Sequence, residues 1–171
     1  MPRYVAFLRG VSPTNLRMQV LRLCLESAGF GDVRTVLSSG NVALDSPEGE
    51  ESTIAQQVEH TVQETVGRLF PTTVRSTDHL GQLIQTQAYQ SHSVYPDAKR
   101  VVTFLFQPCL RNIALPLALD DAKILEMRGL EVFSAYLPNA RGPVFMRLIE
   151  KTFGKEQTTR TWQTVQKCAA A

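Results

Sequence analysis

Two Arg-centred segments lie far apart in the chain, and each carries residue types that could bind an anion. The first contains Arg9 and Gly10, directly after an apolar run, and the second contains Thr159, Arg160 and Trp162. A guanidinium offers two parallel donors to a phosphate or a carboxylate, and a glycine lets the backbone approach a ligand closely. The two segments therefore predict one anion site if the fold brings them together.

Ligand binding has a structural alternative at each of these positions. Arg9 could pair with a protein carboxylate instead of a ligand. Thr159 precedes a predicted helix, so its hydroxyl could cap that helix, and the helix amide groups together with Arg160 would attract an anion. Trp162 could stack on a base, although its helical spacing from Val165 favours a core position.

Other polar side chains between the predicted elements are candidates for hydrogen bonding to the same ligand. They are Asn15, Arg34, Ser39 and Asn41. Gly40 and Asn41 also fit a tight hairpin with positive backbone dihedrals, which explains the Ser-Gly-Asn segment without any ligand. Both interpretations stay open from the sequence.

Signatures of known enzymes are absent from the sequence. His60, His79 and His92 lack metal-ligand spacing, Ser39 lacks the G-x-S-x-G context, and no glycine-rich phosphate-binding motif occurs. The three cysteines are odd in number and widely spaced, which favours buried thiols over a metal site. We therefore expect no metal and no cofactor, and a binding or structural role is favoured over catalysis.

The composition is that of a folded globular protein. The chain has 171 residues, of which 43% are hydrophobic and 20% are charged, with a net charge of +2. Residues 1–90 hold 7 basic and 9 acidic residues, whereas residues 91–171 hold 11 and 7, so the second half is the more anion-attracting one. No apolar run is long enough for a membrane span, and the N-terminal segment does not resemble a signal peptide. We expect a cytoplasmic protein with no membrane partner.

Hydrophobic spacing in the first half predicts the element order βαββαβ. The predicted strands lie at residues 3–9, 32–37, 42–45 and 72–75, and the predicted helices at residues 18–28 and 54–69. The order is typical of the split βαβ, or ferredoxin-like, unit, in which two helices cover one face of a four-stranded antiparallel sheet. The first strand is apolar on both faces, which predicts that both faces are covered.

The second half repeats this arrangement less clearly. Its predicted elements are a strand at 100–106, an irregular or helical piece at 109–119, strands at 122–127 and 130–137, a helix at 143–153 and a C-terminal helix at 159–169. We therefore predict an α+β fold with antiparallel sheets. It would consist of two ferredoxin-like subdomains, residues 1–90 and 91–171, with a C-terminal helix.

Four sequence motifs point to a known family. They are Y-V-A-F-L-R-G from residue 4, A-G-F-G-D-V-R-T-V-L-S-S-G-N-V from residue 28, E-K-T-F-G from residue 150 and T-T-R-T-W-Q-T-V from residue 158. In their order and spacing the chain resembles the bacterial domain-of-unknown-function family 1697. The resemblance implies two ferredoxin-like subdomains, in agreement with the hydrophobic pattern, and it implies no established activity.

The chain departs from the family's usual pattern at three places. Ser12 and Thr161 stand where the family usually has Asn, and Gly142 with Pro143 stands where it usually has Ser-Lys. If those Asn and Lys side chains carry chemistry in relatives, this chain lacks it. A binding or structural role survives such a loss more easily than a catalytic one.

Two functional hypotheses remain, with an enzyme as a third. In the first, Arg9, Arg34 and Arg160 bind the anionic group of a small ligand, such as a nucleotide-like molecule, in a cleft between the halves. In the second, the same residues tie the two halves together, and the sheet edges mediate self-association into a homo-oligomer. The strand near Asn41 lacks the aromatic side chains of an RNA-recognition platform, so nucleic acid binding in that mode is not expected.

Overall fold

A computed structural model describes all 171 residues, which form two compact units. Unit 1 consists of Met1–Gln82 together with Thr164–Ala171, and unit 2 consists of Leu83–Gln163. The fold is α+β, as predicted, with an antiparallel sheet in each unit. None of the helices combines the length and the apolar character needed to cross a membrane.

Unit 1 has the predicted element order βαββαβ, extended by a third helix. The elements are β1 (Arg3–Leu8), α1 (Met18–Ser27), β2 (Gly31–Val36), β3 (Asn41–Asp45), α2 (Glu51–Val66), β4 (Thr72–Ser76) and α3 (Thr77–Gln85). The strand order is β2-β3-β1-β4, and all neighbours are antiparallel. The chain thus starts in the centre of the sheet with β1, returns to the centre with β3 and ends at the edge with β4, so that β1 lies between β3 and β4.

The core of unit 1 lies between the sheet and the helices α1 and α2. The helices contribute Leu21, Leu25, Ile54, Val58 and Val62, which recur at helical spacing and are all fully buried. Alternate residues of β1 face this core, since side chains on a strand alternate between the two faces. The intervening residues of β1 are buried as well, which confirms the prediction that both faces of this strand are covered.

The C-terminal segment joins unit 1 through an arginine of the first strand. Arg3 donates from Nε to the carbonyl oxygen of Ala171 at 2.8 Å and from Nη1 to Oδ1 of Asp45 at 2.8 Å. Asp45 belongs to β3, directly opposite Arg3 in the register. One guanidinium therefore connects the two parts of the chain that make up unit 1.

Unit 2 has a five-stranded sheet with a related order. Its elements are a short 3-10 helix (Ala88–Ser91), β5 (Lys99–Leu105), β6 (Leu117–Leu119), β7 (Ala122–Arg128), β8 (Glu131–Tyr136), α4 (Val144–Phe153) and β9 (Gln157–Thr161), after which α5 (Trp162–Ala169) begins. The strand order is β6-β7-β8-β5-β9. Without the extra edge strand β6, the order β7-β8-β5-β9 repeats the β2-β3-β1-β4 order of unit 1.

Two predictions for the second half need correction. The piece predicted as irregular or helical at 109–119 is irregular up to residue 116, but residues 117–119 form the short strand β6. Pro116 opposes a helix in this segment. The C-terminal helix begins at Trp162 rather than at Thr159, and Gln157–Thr161 forms β9. The threonines of that segment are β-branched and favour a strand, where pairing with β5 satisfies their backbone groups.

Candidate functional site

The candidate residues directly after β1 lie in a loop that an asparagine holds together. Arg9 is half-buried, and its backbone N–H donates to the carbonyl oxygen of Pro71 at 2.7 Å. Asn15 donates from Nδ2 to the carbonyl oxygen of Gly10 at 2.9 Å and accepts at Oδ1 from the N–H of Ser12 at 2.8 Å. The side-chain amide of Asn15 therefore fixes the loop conformation through both its donor nitrogen and its acceptor oxygen.

The connection between β2 and β3 packs directly against this loop. Gly40 accepts a hydrogen bond from the N–H of Leu8 at 2.9 Å and has φ +89°. A Cβ at position 40 would lie 2.8 Å from Cγ2 of Val11, closer than side-chain atoms tolerate. Position 40 requires glycine for both reasons, the positive φ and the close approach. We call residues 9–16 and 37–41 the β1-end cluster.

Asn41 begins β3 and is fully buried inside the β1-end cluster. Its Nδ2 donates to the carbonyl oxygen of Val36 and to Oγ of Ser39, both at 3.0 Å. The predicted Gly-Asn turn is therefore shifted, because the positive φ angles fall on Leu37 and Gly40 while Asn41 is already extended. Five of the nine predicted site residues lie in this cluster, namely Arg9, Gly10, Asn15, Ser39 and Asn41.

Arg34 lies on β2, outside the cluster, and forms an exposed ion pair. Its side chain is 65% exposed, and its Nε lies 3.1 Å from Oδ1 of Asp32. Such an exposed pair contributes little to stability. The structure therefore gives Arg34 a carboxylate partner on its own strand.

Thr159 and Arg160 lie in β9, not at a helix N-terminus, so the predicted contribution of helix amide groups is wrong at this point. Arg160 is only 8% exposed, and its Nη1 donates to Oγ1 of Thr158 at 2.6 Å and to the carbonyl oxygen of Thr159 at 3.0 Å. The hydroxyl of Thr159 lies 2.8 Å from the hydroxyl of Thr103 on β5. Both candidates therefore have protein partners within their own sheet.

Arg75 on β4 repeats the environment of Arg160, and sequence reasoning missed it. Arg75 is 4% exposed, and its Nη1 donates to Oγ1 of Thr73 at 2.7 Å and to the carbonyl oxygen of Val74 at 2.9 Å. A signal was present in the sequence, since residues 73–76 and 158–161 both read Thr-x-Arg with a hydroxyl residue after the Arg. In each case a helix begins at the next residue.

The repeat extends to the neighbouring strands. Val5 pairs with Arg75 across β1 and β4, and Val102 pairs with Arg160 across β5 and β9. On the other side of each central strand, Phe7 is opposite Asn41 and Phe104 is opposite Glu131. Asn41 and Glu131, the polar members of these pairs, are both buried. The two sheets thus place a buried arginine and a second buried polar residue at the same register positions.

Trp162 lies at the start of α5 in an aromatic cluster of unit 2. Its ring centroid is 5.2 Å from that of Tyr89 and 6.1 Å from that of Phe133, both in edge-to-face geometry. The hydroxyl of Tyr89 donates to the carbonyl oxygen of Val101 at 2.5 Å, and burial raises the pKa of Tyr89. The packing agrees with a core position for Trp162 rather than a stacking platform.

The His and Cys residues also have local partners. No group of three or more His, Cys, Asp or Glu side chains is arranged to hold a metal ion. His92 lies 3.0 Å from Oε1 of Glu126, whose Oε2 accepts from Nε of Arg128 at 2.6 Å. Burial alone would raise the pKa of Glu126, but the hydrogen bonds from Arg128 and His92 outweigh it and hold that pKa below its usual value.

Comparisons with known proteins identify the family. A family model described as "Protein of unknown function (DUF1697)" matches residues 1–127. The chain is also similar in structure to a conserved bacterial protein, SP0830 from Streptococcus pneumoniae, with a TM-score of 0.72 and 17% sequence identity. That similarity covers 99% of this chain and 97% of the other and concerns the fold alone. A comparison with curated proteins found no match. The chain belongs to the DUF1697 family, which the sequence motifs had indicated.

Proposed function

We propose that this member of the DUF1697 family is a non-catalytic binding protein for a small anionic ligand, with the β1-end cluster as its site. The observation that carries the proposal is the close approach of Gly40 to Val11, which holds the hairpin against the loop after β1. It gathers a guanidinium residue, Arg9, with the exposed positions Gly10 and Ser39. Guanidinium and hydroxyl donors in one place suit a phosphate or a carboxylate.

Hydrogen bonds within the protein hold the cluster together, which lowers the entropy that binding would cost. Asn15 and Asn41 use their amide groups to hold the backbone of the two loops. The hydrogen bond from the backbone N–H of Arg9 to Pro71 holds the backbone of Arg9 in place. Gly10 has φ +85° and no atom within 4 Å of the position where a Cβ would lie, so its backbone is open to solvent.

Self-association through sheet edges, the competing hypothesis, is less well supported because three of the four edge strands, β4, β2 and β6, are protected. On β4, the N–H of Thr72 donates to Oε1 of Glu59 and the N–H of Ser76 donates to Oε2 of Glu51, both at 2.7 Å. These two carboxylates come from α2 and occupy the amide groups that a neighbouring strand would need. Covered edges of this kind oppose edge-to-edge pairing.

The edges β2 and β6 are protected by other means. On β2 the register shifts between Gly31 and Arg34, and the exposed residues Asp32 and Arg34 add charge to that edge. β6 has only three residues and comes directly after Pro116. Bulges, charges, short length and proline are the features by which edge strands avoid pairing.

Titrating the protein with inorganic phosphate, ADP and glucose 6-phosphate tests the proposal, with thermal shift and calorimetry as readouts. We expect a phosphate-bearing ligand to raise the melting temperature and Arg9→Ala to weaken its binding by about tenfold or more, since a charge-assisted hydrogen bond contributes about 1.5–3 kcal/mol. Arg34→Ala is the matched control and should bind like the parent protein.

Other results would contradict the proposed anion site. If none of the three anions changes the melting temperature of the parent protein, the proposal fails. It also fails if Arg9→Ala binds as tightly as Arg34→Ala. A lower melting temperature of Arg9→Ala without ligand, with no loss of affinity, would assign Arg9 to the fold instead.

A further inference from the structure

Unit 2 contains a cavity whose lining includes none of the predicted site residues. It has a volume of about 530 Å³ and lies between the segment 93–98 and the strands β6, β7 and β8. Small-molecule sites in proteins have volumes of roughly 300–1,000 Å³, so the cavity is large enough for a ligand of that class. Four residues with small or aliphatic side chains form much of its surface: Ala118, Ala122, Leu125 and Ala135.

The cavity lining includes charged side chains and an exposed aromatic ring. Asp120 and Asp121 form the two-residue turn between β6 and β7, and both are exposed. Lys123 is the one cationic side chain in the lining. Tyr95, on the opposite segment, is 70% exposed and also lines the cavity. Carboxylates therefore outnumber cations, and an aromatic face is available beside them.

We infer that this cavity binds a small organic cation: a ligand whose apolar body contacts the alanine and leucine surface and whose ammonium group meets Asp120 and Asp121. The charge of the lining selects a cation over an anion, because it contains two carboxylates, Asp120 and Asp121, and one cationic side chain, Lys123. The exposed ring of Tyr95 adds attraction for a cation placed over its face. The lining alanines leave the space that the apolar body would fill.

The inference is independent of the proposed anion site. The anion site lies in unit 1, whereas every residue of this cavity belongs to unit 2. The two sites would also select ligands of opposite charge. Failure of one therefore leaves the other untouched.

The test compares tyramine with tyrosol, its neutral analogue, by calorimetry and by chemical-shift changes on the full chain. We expect tyramine to bind at least about tenfold more tightly than tyrosol, because only tyramine can form charge-assisted hydrogen bonds with the turn carboxylates. The amide signals that shift should belong to segment 93–98 and to the β6–β7 turn.

Two pairs of variants separate the steric and the electrostatic parts of the inference. Ala118→Leu would fill the cavity from an exposed edge strand, and Leu119→Ala changes the next residue, which does not line it. Asp120→Asn removes a charge from the lining, and asparagine tolerates the φ of +50° at this position. Asp97→Asn removes an exposed carboxylate that does not line the cavity.

Ala118→Leu and Asp120→Asn should each weaken tyramine binding by about tenfold, and the two controls should leave it unchanged. All four variants should keep the melting temperature within a few degrees, since their positions are exposed. The inference is overturned if tyramine shows no binding at millimolar concentration. Equal affinity for tyrosol, or undiminished binding by both cavity variants, would also overturn it.

Discussion

The two units have the same central strand order but differ in the segment after their first strand. In unit 1, ten residues of α1 lie between β1 and β2, and they cover one face of the sheet. In unit 2, residues 106–116 are irregular and lead to the additional edge strand β6. The strand register nevertheless repeats, with Arg75 and Arg160 in matching positions.

The repeat gives Arg160 a role that its sequence motif did not suggest. Arg75 makes the same two hydrogen bonds, to a threonine hydroxyl two residues earlier and to the preceding carbonyl oxygen. Because this arrangement occurs in both sheets, the simplest explanation is that it stabilises the final strand of each. The β1-end cluster has no such counterpart, since Gly40 packs against a loop that unit 2 replaces with residues 106–116.

Removing each buried arginine tests whether Arg75 and Arg160 are equivalent in the two units. Arg75→Ala and Arg160→Ala should each lower the free energy of unfolding by about 2–4 kcal/mol, because each leaves a cavity and unsatisfied acceptors. Urea denaturation measures this, with Arg34→Ala as the exposed control, expected within about 0.5 kcal/mol of the parent protein. A large loss for only one of the two buried arginines would contradict their equivalence.

Thiol labelling compares the accessibility of α1 with that of the irregular segment that replaces it in unit 2. Cys24 on α1 is buried, donates to the carbonyl oxygen of Leu21, and has its pKa raised by burial. Cys109 lies in the irregular segment and is half-buried. We expect Cys109 to react with a thiol reagent about a hundredfold faster than Cys24 in the native protein, because reaction of Cys24 requires local opening. Mass spectrometry of the labelled peptides measures both rates, and equal rates would contradict the packing of α1.

Substituting glycine in the two hairpins should have unequal effects. Gly40→Ala should destabilise the protein by about 1–3 kcal/mol, because the new Cβ would meet Val11 and the positive φ disfavours alanine. Gly129→Ala, in the β7–β8 turn, has φ +60° but open space around it, so we expect about 1 kcal/mol. The melting temperatures of the two variants measure the difference. An equal decrease in both would contradict the steric argument for the β1-end cluster.

The smallest expected effect is the pH dependence from Glu126. Its folded-state pKa lies below the ordinary value of 4.5, so the carboxylate adds stability above that pH, and this stability is lost as the pH falls through the folded pKa. Glu126→Gln should therefore cost less than about 1 kcal/mol near pH 6 and less still near pH 3. Urea midpoints at both pH values test this, with the exposed Glu156→Gln as control. A loss for Glu126→Gln that is the same at both pH values would argue against a charge effect.

Much of the candidate site could not be predicted because local sequence does not report tertiary partners. The hydroxyl and arginine of residues 158–160 fit a capped helix as well as they fit a strand, and only pairing with β5 decided between them. The ion pair of Arg34 with Asp32 and the hydrogen bonds of Asn15 were not predicted, because nothing in the spacing of these residues selects their partners. The equivalence of Arg75 and Arg160 can be recognised only from the strand register of the two sheets.

By itself, the sequence determined the element order of unit 1 and the antiparallel α+β class, because helical and alternating spacing record which residues must be buried. The family was indicated by the sequence motifs. Tertiary structure alone decided that residues 157–161 are a strand, that Gly40 lies against Val11 and that a cavity exists beside Tyr95. These depend on contacts between residues distant in the chain. Hydrophobic periodicity encodes a residue's burial, but it does not encode the partner that the residue is buried against.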